Sequence, residues 1–263
     1  MKRRSENIRN NLLPVGTFCL ILFIWWLLSV TGIVPSYMLP SPVDVVRAFI
    51  KDFPNLITHA AVSVQEAIYG LVIGIFLAFL IATAMDRFET LEKALMPLLV
   101  VTQTIPTIAI APLLVLWMGF GMAPKITLVV VTTFFPIAVG LLDGYKSVDP
   151  DEINLLLSMK ANRLQIFRHV KIPSALPYFF SGLKVAASYA VVGAVISEWL
   201  GGFEGLGVYM TRVRKAYAFD KMFAVIILII IVSLLLMALV NVIQYMAMPW
   251  TRAAQQKNEA KSS

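Results

Sequence analysis

Apolar residues along this chain gather into six long runs, near 12–30, 61–85, 94–118, 125–143, 176–200 and 222–247, with polar stretches between them. At 1.5 Å of rise per helical residue, each run can cross a hydrocarbon core of about 30 Å, some with tilt. The pattern predicts an all-α membrane protein of six transmembrane helices with both termini on one side. After the first run, LPSPVDVVRAFIKDF predicts a shorter helix. Ser41 suits its N-cap, Pro42 its first position and Asp44 its positive end. Val45, Val46, Phe49, Ile50 and Phe53 share one face. About a dozen residues are too few to span, so this helix belongs at the membrane interface.

The connection at 144–177, GYKSVDPDEINLLLSMKANRLQIFRHVKIPSALP, has helix patterns of its own. Asp149 before Pro150 marks a helix start, with Asp151 and Glu152 complementing the dipole in the first turn. Ile153, Leu156 and Leu157 form an apolar stripe at helical spacing. Asn162 with Gln165 three residues on predicts a capping box and a second start. Leu164, Phe167 and Val170 then make another stripe beside Arg163, Arg168 and Lys171, and Pro173 and Pro177 lead into the fifth run. Two short helices meeting near Lys160–Asn162 would project a compact knob. Its apolar stripes need a cover. Periodicity alone allows two: lipid headgroups, or a separate protein.

Composition supports the membrane reading and orients it. The chain is 59% hydrophobic and 14% charged, against roughly 45–50% and about 25% for soluble domains. The net charge of +7 comes from residues scattered at the run ends and forms no basic face for nucleic acid. With the N-terminus inside, fourteen of the 22 Lys and Arg residues fall in the cytoplasm, seven outside and Lys184 within a span. The bias predicts cytoplasmic termini and a cytoplasmic 144–177 loop. One cluster runs against it: Arg212, Arg214 and Lys215 are unusually basic for an outer loop. MKRRSENIRN resembles a signal-peptide n-region, but the apolar stretch after it is long and lacks a cleavage site, so it reads as an uncleaved first span. The expected organisation is a cytoplasmic tail at 1–11, a six-helix domain at 12–250 and a polar, disordered tail at 251–263. Cys19, the single cysteine, permits no intrachain disulfide or Cys-rich metal site, and no metal ligands are expected from the two histidines.

Within the third run, Thr102, Gln103, Thr104, Pro106, Thr107 and Pro112 interrupt an apolar helix. Prolines free backbone carbonyls, tolerable in a membrane only against protein or a watery cavity. Gln103, Thr104 and Thr107 therefore line a pathway beside Pro106 or bond locally to relieve the prolines. Ser188 and Glu198 of the fifth run join the pathway candidates, Glu198 because GGFEGLG follows it with hinge-capable glycines. Glu66 and Glu198 lie near span ends, where they could also reach headgroups or water, and Lys184 could snorkel. Gly182, Ala186, Ala190 and Ala194 form a small-residue stripe that admits a close helix, within the subunit or from a second one. Gly70, Gly74 and Ala78 repeat the pattern, as a packing surface.

The second half of the loop, RLQIFRHVKIPSALPYFFSGLK, resembles the EAA loop of binding-protein-dependent ABC importer permeases. Val170-Lys171-Ile172-Pro173 matches its closing tetrapeptide; counting back places Lys160 at the family's glycine and Asn154-Leu155-Leu156 at E-A-A. LPSPVDVV, TIPTIAIAPLLVLWMGFG and ISEWLGGFEGLG resemble the family too, and the resemblance spans about 39–247. It is nearest the subgroup serving nitrate, sulfonates, taurine and aminopyrimidine thiamine precursors. The resemblance implies a type I ABC importer-like fold in the bacterial inner membrane, with a cytoplasmic coupling-helix loop. It also implies a second permease subunit, as a homodimer; a cytoplasmic ABC ATPase dimer carrying ATP and Mg; and an extracytoplasmic substrate-binding protein. Asp149, Pro150, Glu152, Ile153, Leu156, Leu157, Lys160, Asn162, Arg163 and Phe167 would form the ATPase-docking loop. Two other classes fit less well. A membrane-embedded enzyme would need a motif such as G-x-S-x-G, H-E-x-x-H or C-x-x-C, none of which is present. Gly144-Tyr145-Lys146-Ser147 lacks the glycine-rich approach of a P-loop, so no nucleotide or other cofactor is expected in this chain. An ion-coupled secondary transporter would not need the amphipathic knob.

Overall fold

The computed structural model describes residues 2–35 and 37–250, and all regular structure among them is helical. The order is α1 (Lys2–Val30), α2 (Pro42–Lys51), α3 (Phe53–Arg87), α4 (Glu89–Thr104), α5 (Thr107–Met118), α6 (Met122–Lys146), α7 (Pro150–Ser158) and α8 (Arg163–Ile166). A π-helical turn (Phe167–Lys171) leads into α9 (Ile172–Gly201), followed by α10 (Leu206–Lys215) and α11 (Phe219–Ala247). The tail at 251–263 lies outside the described residues. The segment assigned to an N-terminal tail is already helical, since α1 begins at Lys2.

Among the described residues five helices are long and apolar enough to cross a membrane, six spans if the bent pair α4–α5 counts as one. Here the structure departs from the single helix expected at 94–118. Pro106 has no N–H to give and pushes Ile105 out of the helical region, where it sits at φ −80°, ψ 121°. Pro106 is extended in turn at φ −58°, ψ 123°, and the two halves meet at 100°.

The chain divides into two compact units, one of residues up to His59 with Tyr209–Leu228, the other of Ala60–Val208 with the rest of the chain from Ile229. In the first, Ser41 caps α2, its Oγ accepting from Asp44 N at 3.2 Å. Val45 and Ala48 are buried, while Val46, Ile50 and Phe53 form an exposed apolar edge. Trp25 of α1 donates to Pro40 O at 3.0 Å and its ring lies 5.5 Å from that of Phe223.

In the larger unit α3, α6 and α9 build the core, and small residues let them approach to backbone contact. Ala78, Ala82, Ala186, Ala187, Ala190 and Ala194 are all fully buried. A Cβ on Gly70 would fall 2.4 Å from Val129 Cβ, and one on Gly182 would fall 2.2 Å from Pro136 O. The Gly182–Ala194 stripe thus packs inside this chain, on α6. Replacing Gly182 by Val should lower the thermal stability of the detergent-solubilised protein by about 1–3 kcal/mol. Gly16→Ala, inside α1 where nothing lies within 4 Å, should not lower the melt; a Gly182→Val melt as high as the wild type's would refute the packing assignment.

Candidate functional site

The knob forms through local rules. Asp149 caps α7, its Oδ1 accepting from Asp151 N at 2.9 Å. The capping box at α8 is complete: Asn162 Oδ1 accepts from Gln165 N at 2.8 Å and Gln165 Oε1 from Asn162 N at 2.7 Å. Between them Lys160 adopts φ +61°. Lys160 N donates to Leu157 O at 2.9 Å and Ala161 N to Leu156 O at 3.0 Å, the bond pair that stops a helix through a left-handed residue. Lysine therefore takes the same left-handed backbone a glycine would take here, at a cost of ~1–2 kcal/mol.

Two contacts seat the knob on the bundle. Lys171 Nζ binds both oxygens of Asp86, at 2.6 and 2.8 Å, and the Phe167 ring lies 5.4 Å from that of Tyr145. Ile153 and Leu156, expected in the outward stripe, turn half inward. Leu155, Leu157, Met159 and Leu164 face outward, at 64%, 50%, 72% and 72% exposure. Leu157 and Leu164 also border an open cavity of about 500 Å³, with Ile153, Arg163, Phe167 and Arg87 of α3. Asp149, Pro150, Glu152, Asn162 and Arg163 are exposed.

A second cavity, about 290 Å³, opens at the break between α4 and α5. It gathers Thr102, Gln103 and Thr107 with Thr132 of α6 and Tyr189 and Gly193 of α9. Thr102 and Thr104 hydroxyls donate to Leu99 O and Val101 O, at 2.6 and 2.8 Å. Both bonds stay within the turn that carries them, and Gln103, which is exposed, lines the cavity with Thr102 and Thr107. Pro106 makes the break without lining the cavity. Ser188, whose hydroxyl donates to Lys184 O at 3.4 Å, lies elsewhere on α9. Tyr189, Gly193 and Thr132 escaped sequence reasoning. The first two are four residues apart on α9 and each lies three positions beyond an alanine of the stripe, so helical spacing sets them on its flank and could have marked them.

Glu198 lies away from that cavity. It is 1% exposed, and its Oε1 accepts from Ser63 Oγ at 2.6 Å. Its Oε2 accepts from Gly207 N at 2.6 Å, while Leu206 N donates to Ser63 Oγ at 2.8 Å. Glu198 and Ser63 thus cap the N-terminus of α10. Gly205 is obligatory beneath them: it has φ +122°, and a Cβ there would fall 2.2 Å from the Glu198 carboxyl carbon. Glu66 is equally buried, bound at 2.7 Å by Lys125 Nζ, which also reaches Glu204 O at 3.4 Å. Neither carboxylate reaches headgroups. Among the described residues no cluster of His, Cys, Asp and Glu could hold a metal.

A helical bundle with a broken span, a polar cavity at the break and a capped knob is the architecture of a membrane permease. The family described as "Binding-protein-dependent transport system inner membrane component" matches residues 70–253, and the chain belongs to it. It is 36% identical over 253 residues to the formylaminopyrimidine transport permease protein ThiX of Halalkalibacterium halodurans, covering 96% of this chain and 99% of that one. It is 28% identical over 257 residues to the taurine transport system permease protein TauC of Escherichia coli, covering 95% and 94%. Two solved structures share the fold. A crystal structure of an amino acid ABC transporter superposes with a TM-score of 0.61 at 16% identity, covering 74% of this chain and 95% of that one. The inward-facing MetNI methionine ABC transporter gives 0.58 at 20%, covering 73% and 94%. The chain is accordingly a multi-pass inner-membrane permease of an ABC importer, a transport subunit whose ATPase is a separate chain.

Lys160→Gly keeps the left-handed turn without its steric cost. It should raise the midpoint of thermal unfolding, by the equivalent of about 1 kcal/mol, with ATPase assembly retained. A lower midpoint would show that the lysine side chain stabilises the turn.

Proposed function

We propose that this permease carries a small polar solute (nitrate, a sulfonate, taurine or an aminopyrimidine) inward by alternating access, driven by an ABC ATPase dimer that holds ATP and Mg. The observation that carries this reading is the knob. A rigidly seated pair of capped helices turns Leu155, Leu157 and Met159 outward, an apolar surface that the chain itself leaves uncovered. The charge bias supports an orientation with both termini and the knob in the cytoplasm, where an ATPase would meet it. The 12–250 region acts as one permease domain with 144–177 as its handle, and a second copy of the chain completes the pathway.

The cavity at the α4–α5 break supports the same reading. Irregular backbone at membrane depth needs a watery or protein-lined space, and Gln103, Thr107 and Tyr189 supply hydrogen-bonding groups there. Motion of the knob would reach this cavity through α8, the π turn and α9, which run on without a break from Arg163 to Gly201. Relatives named for formylaminopyrimidine and for taurine transport support solutes of that size.

Leu155→Asp with Met159→Asp removes two large apolar contacts worth about 1.5–3 kcal/mol each when buried. Retention of the ATPase during purification of the complex should fall at least about tenfold, with membrane insertion unaffected. Wild-type retention of the ATPase by this double variant would rule out the knob as the docking element.

A further inference from the structure

The basic cluster that runs against the charge bias has a structural setting that sequence did not reveal. α10 buries Leu206, Tyr209 and Val213 and leaves Arg212, Arg214 and Lys215 exposed in its last turn. Cations at a helix C-terminus suit the dipole, but this patch extends beyond the helix. Residues 37–59 and 209–228 hold six cations against three carboxylates. Lys221 pairs with Asp52 at 3.5 Å and Arg47 with Asp44 at 3.7 Å. Lys51, Arg212, Arg214 and Lys215 make no ion pair among the described residues, and only Asp220 remains to offset them.

Beside the cluster stands a strained aromatic. Tyr217 has φ +55° and is 78% exposed, held by bonds from Tyr217 N to Arg214 O at 3.1 Å and from Ala218 N to Val213 O at 3.0 Å. Left-handed backbone costs a non-glycine residue ~1–2 kcal/mol, and here it thrusts a large ring into the open. Tyr217 lines a cavity of about 470 Å³ with Tyr37, Arg47, Lys51, Asp44 and Asp220. Exposed Tyr and Arg around a concavity are the composition of protein interfaces. The concavity sets Asp44 and Asp220 among its cations, and a folded partner can meet both signs. The cationic excess selects a partner with an acidic face.

We propose that the basic end of α10, Tyr217 and the adjoining cavity form the docking surface for an acidic face of the extracytoplasmic binding protein on which this transporter family depends. This rests on the orientation with both termini in the cytoplasm, and the first measurement tests that separately. In a Cys19→Ser background, Tyr217→Cys should react with a membrane-impermeant maleimide added to intact cells. Reaction only after the cells are opened would place the patch inside and overturn the proposal through its orientation.

The second measurement uses the complete importer, reconstituted with its own ATPase and binding protein. Reversing Arg212, Arg214 and Lys215 to Glu should raise the concentration of binding protein needed for half-maximal ATPase stimulation roughly tenfold, with basal ATPase unchanged. Added NaCl should weaken stimulation of the wild type and much less that of the variant. Tyr217→Gly guards against misfolding: it should raise thermal stability yet weaken stimulation several-fold. Wild-type stimulation in the triple variant would overturn the proposal. So would wild-type stimulation accompanied by loss of a dependence on phosphatidylglycerol over phosphatidylcholine vesicles, which would assign the patch to lipid.

Discussion

Helices in a bilayer gain little by burying apolar side chains against one another, because lipid tails are equally apolar; they associate where their backbones can come close. In this permease that contact centres on Gly182, which faces the Pro136 carbonyl with no room for a Cβ. Ala186, Ala190 and Ala194 continue the same face of α9, and Gly70 and Gly74 do the equivalent for α3 against α6. Tyr189, Gly193 and Ile196, on the flank of that α9 face, line the cavity at the broken span.

Close approach also brings polar groups at the two ends of the larger unit within bonding range. At one end Lys171 grips Asp86 and seats the knob on α3. At the other, Glu198 and Ser63 hold the first N–H groups of α10 while Lys125 joins Glu66 to the Glu204 carbonyl. α9 touches both clusters and the cavity between them. The π turn at Phe167–Lys171 sets the register between the knob and this helix, and π turns recur at functional sites. A displacement of the knob therefore acts on the helix that walls the cavity.

Legibility in the sequence followed the range of the interactions. The caps at Asp149 and Asn162 join residues two and three positions apart, and both appear as the sequence implied. The left-handed turn at Lys160 was marked only as a departure from a glycine. Its geometry came from bonds closing α7, which tolerate any residue able to bear the strain. Glu198 looked like a pathway or headgroup-reaching residue because its partner Ser63 lies 135 positions away. Glu66 was misleading for the same reason, with Lys125 59 positions distant. The third apolar run read as one helix because hydropathy records length and not direction; the 100° turn comes from what Pro106 does to Ile105.

By itself the sequence determined that the chain is a helical membrane protein with a capped knob between its fourth and fifth apolar runs. Hydropathy, capping and proline geometry act over one or a few turns and leave their signatures in consecutive residues. Only the tertiary structure decided which side chains face the cavity, which carboxylates are structural, and which knob residues point outward. Those outcomes depend on the rotation of each helix about its axis, which is set by contacts between residues far apart in the chain.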